Sequence, residues 1–150
     1  MESAHSKNHY LVRGLLWGLG ATVVMTIFMF AGMKTGVSPI PEPIPIALTK
    51  LLFGKISQPG LMIIGLLLHF LYGSVNGVLA AAIFRSGNTF WHGLGWGFLL
   101  WIIMQLIVLP VLGWGIFGTA VTFKIAVATL VLHLVYGSVL GWGLSRLKAS

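Results

Sequence analysis

The sequence predicts an all-α integral membrane protein, a four-helix bundle made of two tandem helical hairpins with a short interfacial segment after the first span. The composition is the first observation behind this prediction. Hydrophobic residues make up 57% of the 150 residues and charged residues only 7%, whereas an ordinary soluble domain is about 25% charged. A soluble fold of this length could not keep so much apolar surface away from water. The apolar runs and an internal repeat are the other two observations.

Four apolar stretches are long enough to cross a hydrocarbon core of about 30 Å, which takes roughly 20 helical residues. They lie at residues 11–33, 61–84, 92–112 and 125–144. The first is too long for the apolar region of a signal peptide and has no clear cleavage site after it, so we interpret it as a retained span. Residues 1–150 are interpreted as a single transmembrane domain.

The connection between the first two spans, residues 38–58, has two parts. Prolines alternate with other residues from Ser38 to Pro45, which predicts extended chain because proline cannot continue a helix. Residues 47–55 are too few to span a membrane and carry Lys50 and Lys55. Their amphipathic pattern predicts an interfacial helix. A re-entrant segment that lines a cavity is the alternative interpretation.

Two pairs of matching motifs indicate the internal repeat. Residues 68–77 read LHFLYGSVNG and residues 132–141 read LHLVYGSVLG. Residues 14–18 read GLLWG and residues 93–97 read GLGWG. Because the two motifs occur in the same order in both halves, they predict one helical hairpin duplicated in parallel orientation, with the proline-rich insertion as the main difference.

Each predicted span carries a G-x-x-x-G motif. Glycines four residues apart share a helix face and let two helix backbones approach closely in lipid. The direction of each span places all four motifs in the half of the membrane nearer the termini, which should therefore be tightly packed and closed to water. The pairs are Gly14/Gly18, Gly73/Gly77, Gly93/Gly97 and Gly137/Gly141.

The repeat also aligns polar residues at one depth. A rise of about 1.5 Å per residue puts His69 and His133 about 12 Å from the far ends of their spans. Gln105 lies at a similar height on the third span, and Thr26 is its equivalent on the first. The sequence therefore predicts a polar layer above a glycine-packed floor. Its members are Thr26, His69, Gln105 and His133, with Tyr72 and Tyr136 as further hydrogen-bonding groups.

An ionisable residue inside a membrane is expensive and is a functional candidate for that reason. One hypothesis is a small-solute or proton pathway through the layer, since imidazole titrates near neutral pH. A second is a cofactor-holding subunit in which His69 and His133 are axial ligands of a b-type haem. A third is a purely structural bundle, in which neutral histidines hydrogen-bond across helices to Gln105, Thr26 or the tyrosines. No cofactor is predicted outright.

Three methionines form a stripe on the first span. Met25, Met29 and Met33 are spaced i, i+4, i+8, and their soft thioethers could pass Cu(I). A methionine stripe at this spacing is more often flexible packing material. If the protein binds a metal, these methionines, His69 and His133 are the candidate ligands.

Several classes of function are excluded or disfavoured. Cysteine is absent, which removes disulfides, thiolate metal sites and cysteine nucleophiles. Glu2 and Glu42, the two acids, lie outside the predicted spans, so paired catalytic carboxylates are missing and we predict no enzyme. The basic residues occur singly, a pattern that disfavours nucleic acid. The expected partner is the lipid bilayer, with a homo-oligomer or a larger membrane complex as further possibilities.

The basic residues also bear on orientation. An even number of spans puts both termini on one side of the membrane. That side carries Lys7, Arg13, Arg85, Arg146 and Lys148, and the other side carries Lys34, Lys50, Lys55 and Lys124. The positive-inside rule then favours cytoplasmic termini.

Four short motifs carry a family resemblance. They are His69-x-x-x-Gly73-Ser74-x-x-Gly77, Trp91-His-Gly93, Leu109-Pro-Val-Leu-Gly113 and a final His133-Leu-Val-Tyr136. The pattern resembles small prokaryotic inner-membrane proteins, namely the YagU-like proteins and related four-span families of unknown function. The resemblance covers mainly residues 67–141. It implies four spans and a prokaryotic plasma-membrane location, and it supplies no catalytic or ligand residues.

Overall fold

The computed structural model describes residues 4–54, 56–84 and 90–146, with side chains from residue 9 onward, and in these ranges every regular element is helical. Helix α4 continues through a wider π-helical turn, Met104–Val108, into the short helix α5. The helices are α1 (Ala4–Lys34), α2 (Ile44–Phe53), α3 (Gln58–Ile83), α4 (Phe90–Ile103), α5 (Leu109–Val111) and α6 (Lys124–Ser145).

Four helical segments are long and apolar enough to cross a membrane. They are His9–Lys34, Gln58–Ile83, Phe90–Val111 and Lys124–Ser145, and they overlap the four predicted spans. The predicted all-α membrane bundle is therefore confirmed as the fold class.

The spans are arranged as two hairpins that meet along one seam. Helix α1 packs along α3, and α4 packs along α6. Helices α1 and α6 pack against each other and join the hairpins, so α3 and α4 are the outer helices. Ala21, Leu100, Tyr136 and Leu140 form the centre of the apolar core at this seam.

The glycine motifs are the points of closest approach inside the first hairpin. A Cβ atom added at Gly14 would lie 2.7 Å from the carbonyl oxygen of Gly77. Gly18 faces Gly73 one turn farther along the same contact. Any side chain at these positions would push the backbones of α1 and α3 apart, so close packing requires glycine.

The second hairpin has the same kind of contact, although a Cβ atom at Gly97 or Gly141 would first meet the carbonyl oxygen of a non-glycine residue, His133 or Phe90 respectively. A Cβ atom added at Gly137 would lie 2.6 Å from the carbonyl oxygen of Gly93, and Gly97 faces Gly137. At Gly141 a Cβ atom would first meet the carbonyl oxygen of Phe90, and the Cα atom of Gly93 would lie 3.1 Å away. Gly141 therefore packs against the first turn of α4, where a non-glycine residue supplies the closest atom, and not against a glycine motif alone.

Helix α2 crosses the end of the bundle that is farther from the termini. Its prolines stand in or before the first turn, where a missing N–H costs nothing. Ile40 packs with Leu109 and Ile125 of the second hairpin, whereas the α2 backbone rests on α3, because a Cβ at Gly65 would lie 3.1 Å from the Pro45 carbonyl oxygen. The segment therefore bridges the two hairpins.

Pro110 changes the third span without a sharp break. Proline lacks an N–H and its ring clashes with the carbonyl four residues earlier in a regular helix. The helix widens just before it, so that the Leu109 N–H bonds to the Met104 carbonyl, and it ends at Val111. The wide turn places Met104 and Gln105 on the buried side.

Candidate functional site

A cavity of about 420 Å³ lies between the two hairpins. Helices α1 and α6 supply its back wall, α3 and α4 its two sides, and α2 its cover at the end farther from the termini. Gly73 and Tyr136 lie at its base, next to the glycine contacts. The cavity therefore occupies the depth at which the sequence places the polar layer.

Six polar side chains line this cavity, and four of them are candidates from the sequence. They are His69, Tyr72, His133 and Tyr136, together with Thr22 and Thr129. The remaining lining is apolar and consists of Ile, Leu and Val residues, three methionines (Met25, Met29 and Met104), Gly73 and Pro45. The site is thus a mostly apolar chamber with a few polar groups, the usual character of a small-molecule site.

His133 is buried and already hydrogen-bonded. Its side chain is 7% exposed, and its Nδ1 lies 2.8 Å from the carbonyl oxygen of Thr129, one turn earlier in α6. Because a carbonyl only accepts, Nδ1 is the donor and carries a proton. The bond fixes the ring, and in the neutral imidazole it leaves Nε2 as the acceptor.

His69 has a different environment. It is only partly buried, and its Nε2 atom is covered by the protein but has no hydrogen-bond partner among the described residues. A buried polar atom without a partner is uncommon and costs free energy. His69 therefore differs from His133 in having a buried ring nitrogen that the described residues leave unsatisfied.

Gln105 bonds to a threonine, and the predicted bond from Gln105 to a histidine is wrong. Gln105 is fully buried, and its Nε2 donates to the Thr129 hydroxyl at 2.8 Å. Its Oε1 has no partner within the described ranges. The Thr129 hydroxyl in turn donates to the Ile125 carbonyl at 2.7 Å. Gln105 therefore ties α4 to α6 beside the cavity.

Thr26 likewise gives no bond to a histidine, contrary to that prediction. Its hydroxyl donates to the Thr22 carbonyl at 2.7 Å, and the Thr22 hydroxyl donates to the Gly18 carbonyl at 2.7 Å. Both threonines are buried in α1. Their hydroxyls are satisfied inside their own helix, which is common for threonine in membrane helices.

The two tyrosines of the repeated motif also differ. Tyr136 is 3% exposed, and its hydroxyl donates to the Gly73 carbonyl of the other hairpin at 2.7 Å. Tyr72 is 49% exposed and lies at the edge of the cavity. One tyrosine therefore links the hairpins, and the other is available to a bound molecule.

The methionine stripe is split between the chamber and its margin. Met25 and Met29 are buried and line the cavity, while Met33 is partly buried. No group of three or more His, Cys, Asp or Glu residues suited to a metal ion occurs in the described part of the chain. Copper passage by the methionines remains a prediction.

Sequence reasoning missed Thr129 and Thr22, and it considered a cavity-lining role for α2 only as an alternative. Thr129 stands four residues before His133, so it shares a helix face with it, and this spacing could have revealed it. Ile44, Leu48 and Leu52 line the cavity from α2 at the same four-residue spacing. The alternative interpretation of this segment, as one that lines a cavity, therefore describes part of what α2 does.

Comparison with known proteins gives one match. Neither a curated protein nor a solved structure matches the chain. A family model, described as a family of unknown function (DUF6789), matches residues 9–150. The match includes all four spans and every residue of the cavity, while the likeness to YagU-like proteins and the prokaryotic origin remain predictions. The chain therefore belongs to this uncharacterised family, DUF6789.

Proposed function

We propose that this protein is a membrane-embedded, non-catalytic binding chamber for a small molecule, which His69 and His133 help to hold. The cavity between the hairpins is the observation that carries the proposal. Both histidines line it, together with Tyr72 and Tyr136. The matching motifs of the two halves thus meet at one chamber.

The size of the cavity supports ligand binding. Protein interiors are close-packed, and voids larger than a few water molecules are uncommon. One water takes up about 30 Å³ of liquid volume, and small-molecule pockets are typically about 300–1,000 Å³. A cavity of about 420 Å³ falls within this range.

The contacts below the cavity favour binding over conduction of a solute or a proton. On the side of the termini, the helix backbones touch at Gly18 and Gly73 in one hairpin and at Gly97 and Gly137 in the other. A continuous path would have to cross this layer. In the conformation described here, a solute enters and leaves the chamber on the same side of the glycine layer.

A fluorescent-probe titration in lipid nanodiscs tests the chamber. We expect 1-aminoanthracene, a small apolar fluorophore, to give a saturable signal above its partition into lipid. Leu132→Trp, which fills the cavity, should abolish the saturable part. Val131→Trp is the matched control, because Val131 is 54% exposed on the same helix. Equal saturable binding in both variants, or none in the unmodified protein, would exclude the chamber as a binding site.

Haem b is a second candidate, favoured by one observation. A histidine that ligates a metal usually donates its other ring N–H to a carbonyl or carboxylate, and His133 Nδ1 makes such a bond to Thr129. His69 lines the same cavity and would be the other axial ligand. Protein purified from haem-replete cells should then show a Soret band that sharpens on reduction. His69→Ala or His133→Ala should remove the band, and a featureless visible spectrum would exclude haem.

We also infer a plasma-membrane location in a prokaryote, with both termini in the cytoplasm. The family resemblance and the five basic residues on the terminal side support this orientation. A green fluorescent protein fused to the C-terminus should fluoresce, and a fused periplasmic alkaline phosphatase should be inactive. Whether the chain forms a homo-oligomer or joins a larger complex is a further prediction, which cross-linking in native membranes tests.

A further inference from the structure

The walls of the cavity differ in exposure. Its back wall is closed, since Met25 on α1 is 8% exposed and Tyr136 on α6 is 3% exposed. The side walls are open, because Leu68 and Tyr72 on α3 are 37% and 49% exposed and Ile103 on α4 is 39% exposed. These three residues, which we call the mouth, line the cavity from the two outer helices. The chamber therefore opens sideways, between α3 and α4.

The depth of the mouth identifies what it opens into. At a rise of about 1.5 Å per residue, Leu68 and Tyr72 lie about 15 and 21 Å from the start of α3, and Ile103 lies about 12 Å from Val111. The hydrocarbon core of a bilayer is about 30 Å thick. If the helix ends mark the bilayer surfaces, the mouth faces acyl chains.

The two routes to water are obstructed. Helix α2 covers most of the end away from the termini, with Ile44 and Leu48 turned to the cavity and its backbone resting on Gly65; Leu52, which also lines the cavity, is 63% exposed at the edge of this cover. The glycine contacts close the other end. These contacts favour entry from the lipid over entry from water.

The lining also favours uncharged ligands over charged ones. It contains no Asp, Glu, Lys or Arg, so a charged ligand would lose its hydration and find no counter-ion. His133 Nδ1 and the Tyr136 hydroxyl already have acceptors in the protein. His69 Nε2 has no partner among the described residues but is covered by protein, so a ligand in the cavity does not reach it. Tyr72 brings a hydroxyl to the mouth that can donate to a ligand oxygen. His133 Nε2 remains as an acceptor.

We infer that the chamber takes an uncharged, lipid-soluble molecule bearing a polar oxygen, which enters from the hydrocarbon core between α3 and α4 and accepts a hydrogen bond from Tyr72. The inference rests on the proposed function and adds the class of ligand and its route.

Competition among head groups on one alkyl chain tests the class. The protein in nanodiscs is labelled with a photoreactive diazirine derivative of a long-chain methyl ketone, and labelled peptides are identified by mass spectrometry. Unlabelled ketone, carboxylic acid and trimethylammonium compounds of equal chain length are the competitors. We expect saturable labelling of lining peptides, with the ketone at least tenfold more effective than either charged compound. A charged compound that competes equally well would overturn the inference, even with the chamber intact.

Matched variants test the route and the hydrogen bond. Leu68→Trp narrows the mouth and should reduce chamber labelling several-fold, whereas Leu67→Trp, at a residue 63% exposed beside it, should not. Tyr72→Phe keeps the ring and should abolish the preference for the ketone over an alkane of equal length, whereas Phe70→Leu should retain it. Thermal unfolding in the nanodisc verifies that each variant is folded.

The results separate two kinds of failure. Full labelling in folded Leu68→Trp would overturn lateral entry, and an unchanged preference in folded Tyr72→Phe would overturn the role of Tyr72. If Leu68→Trp does not fold, Ile103→Trp replaces it, and if Tyr72→Phe does not fold, Tyr72→Leu replaces it, with the same expectations. Saturable labelling that Leu132→Trp leaves intact would refute the chamber itself, and with it the proposed function.

Discussion

His69 and His133 occupy the same position in two matching motifs, three residues before Tyr72 and Tyr136 respectively. In the second hairpin the histidine is buried and bonded to Thr129, and the tyrosine reaches across to Gly73. In the first hairpin the histidine Nε2 has no partner among the described residues, and the tyrosine is half exposed. The same residues therefore make bonds that stabilise the bundle in one copy, and the described residues show neither of these bonds in the other copy.

The two hairpins also differ at the position four residues before each histidine. In the second hairpin it is Thr129, whose hydroxyl takes the amide of Gln105. In the first it is Gly65, whose missing side chain lets the α2 backbone rest on α3. Threonine at this position thus accompanies an inter-helix hydrogen bond in the second hairpin, and glycine accompanies a docked helix in the first. A duplicated motif has the same chemistry in each copy, and its surroundings determine how that chemistry is used.

The glycine contacts are what the hairpins share, and their loss should have the largest effect. We expect Gly77→Ala and Gly93→Ala each to lower the free energy of unfolding by about 1–3 kcal/mol or to prevent folding, because the methyl group meets backbone. Equilibrium unfolding in mixed detergent micelles measures this. Gly20→Ala and Gly95→Ala are the controls, since a Cβ there meets nothing within 4 Å. If only one of the two variants has a lower free energy of unfolding, the glycine contacts do not stabilise both hairpins alike.

Exchanging the residue that distinguishes the hairpins should undock α2. Gly65→Thr places side-chain atoms where Pro45 and Ile46 now lie, and overpacking of this kind costs about 1–2 kcal/mol. Amide hydrogen exchange over Ile44–Phe53 should become faster. Glu42→Gln serves as the comparison, because it removes only an exposed ion pair with Lys50 at 3.7 Å, which contributes little. Unchanged exchange in Gly65→Thr would mean that Gly65 is not what admits α2.

Thr129→Val should destabilise the second hairpin by about 1 kcal/mol, because it leaves the buried Gln105 amide without an acceptor. Adding Gln105→Leu should recover most of the loss. Thr26→Val should have a smaller effect, since that hydroxyl bonds only within its own helix. The double-mutant cycle gives the coupling between Gln105 and Thr129, and a coupling of zero would contradict the bond.

The smallest effect separates the two tyrosines. Tyr136→Phe removes the hydroxyl bonded to Gly73 and should lower stability by about 0.6 kcal/mol, the average for such bonds in membranes. Tyr72→Phe should leave stability unchanged, because Tyr72 is half exposed at the mouth. Thermal unfolding of both variants under one set of conditions measures the difference. Equal losses would show that the hairpins use their tyrosines alike.

Residue positions along the helices were enough to predict which residues of the site lie at the same depth in the membrane. Because the helical rise is constant, the sequence predicted His69 and His133 at one depth, and both line the cavity. The same reasoning placed Gln105 and Thr26 at that depth but named the wrong partners for them. Hydrogen-bond partners depend on the rotation of each helix and on its nearest neighbour, and Thr129 and the Thr22 carbonyl lie closer.

The π-helical turn at Met104–Val108 is another feature that could not be predicted from residue positions along the helix. Proline can kink or end a helix, and at Pro110 the helix widens just before the proline and ends one residue after it. Neighbouring helices determine which of these responses is cheapest. The turn matters to the site, because it sets the position of Gln105 against α6.

By itself, the sequence determined that the chain forms apolar helices in a membrane and that glycines recur on one face of each span. Hydrophobicity and helical periodicity are local properties, so they can be read from residues alone. Only the tertiary structure decided that Gly65 receives α2, that the cavity opens between α3 and α4, and that His69 is left without a partner at Nε2. These features depend on contacts between segments far apart in the chain, where near-identical motifs meet different neighbours.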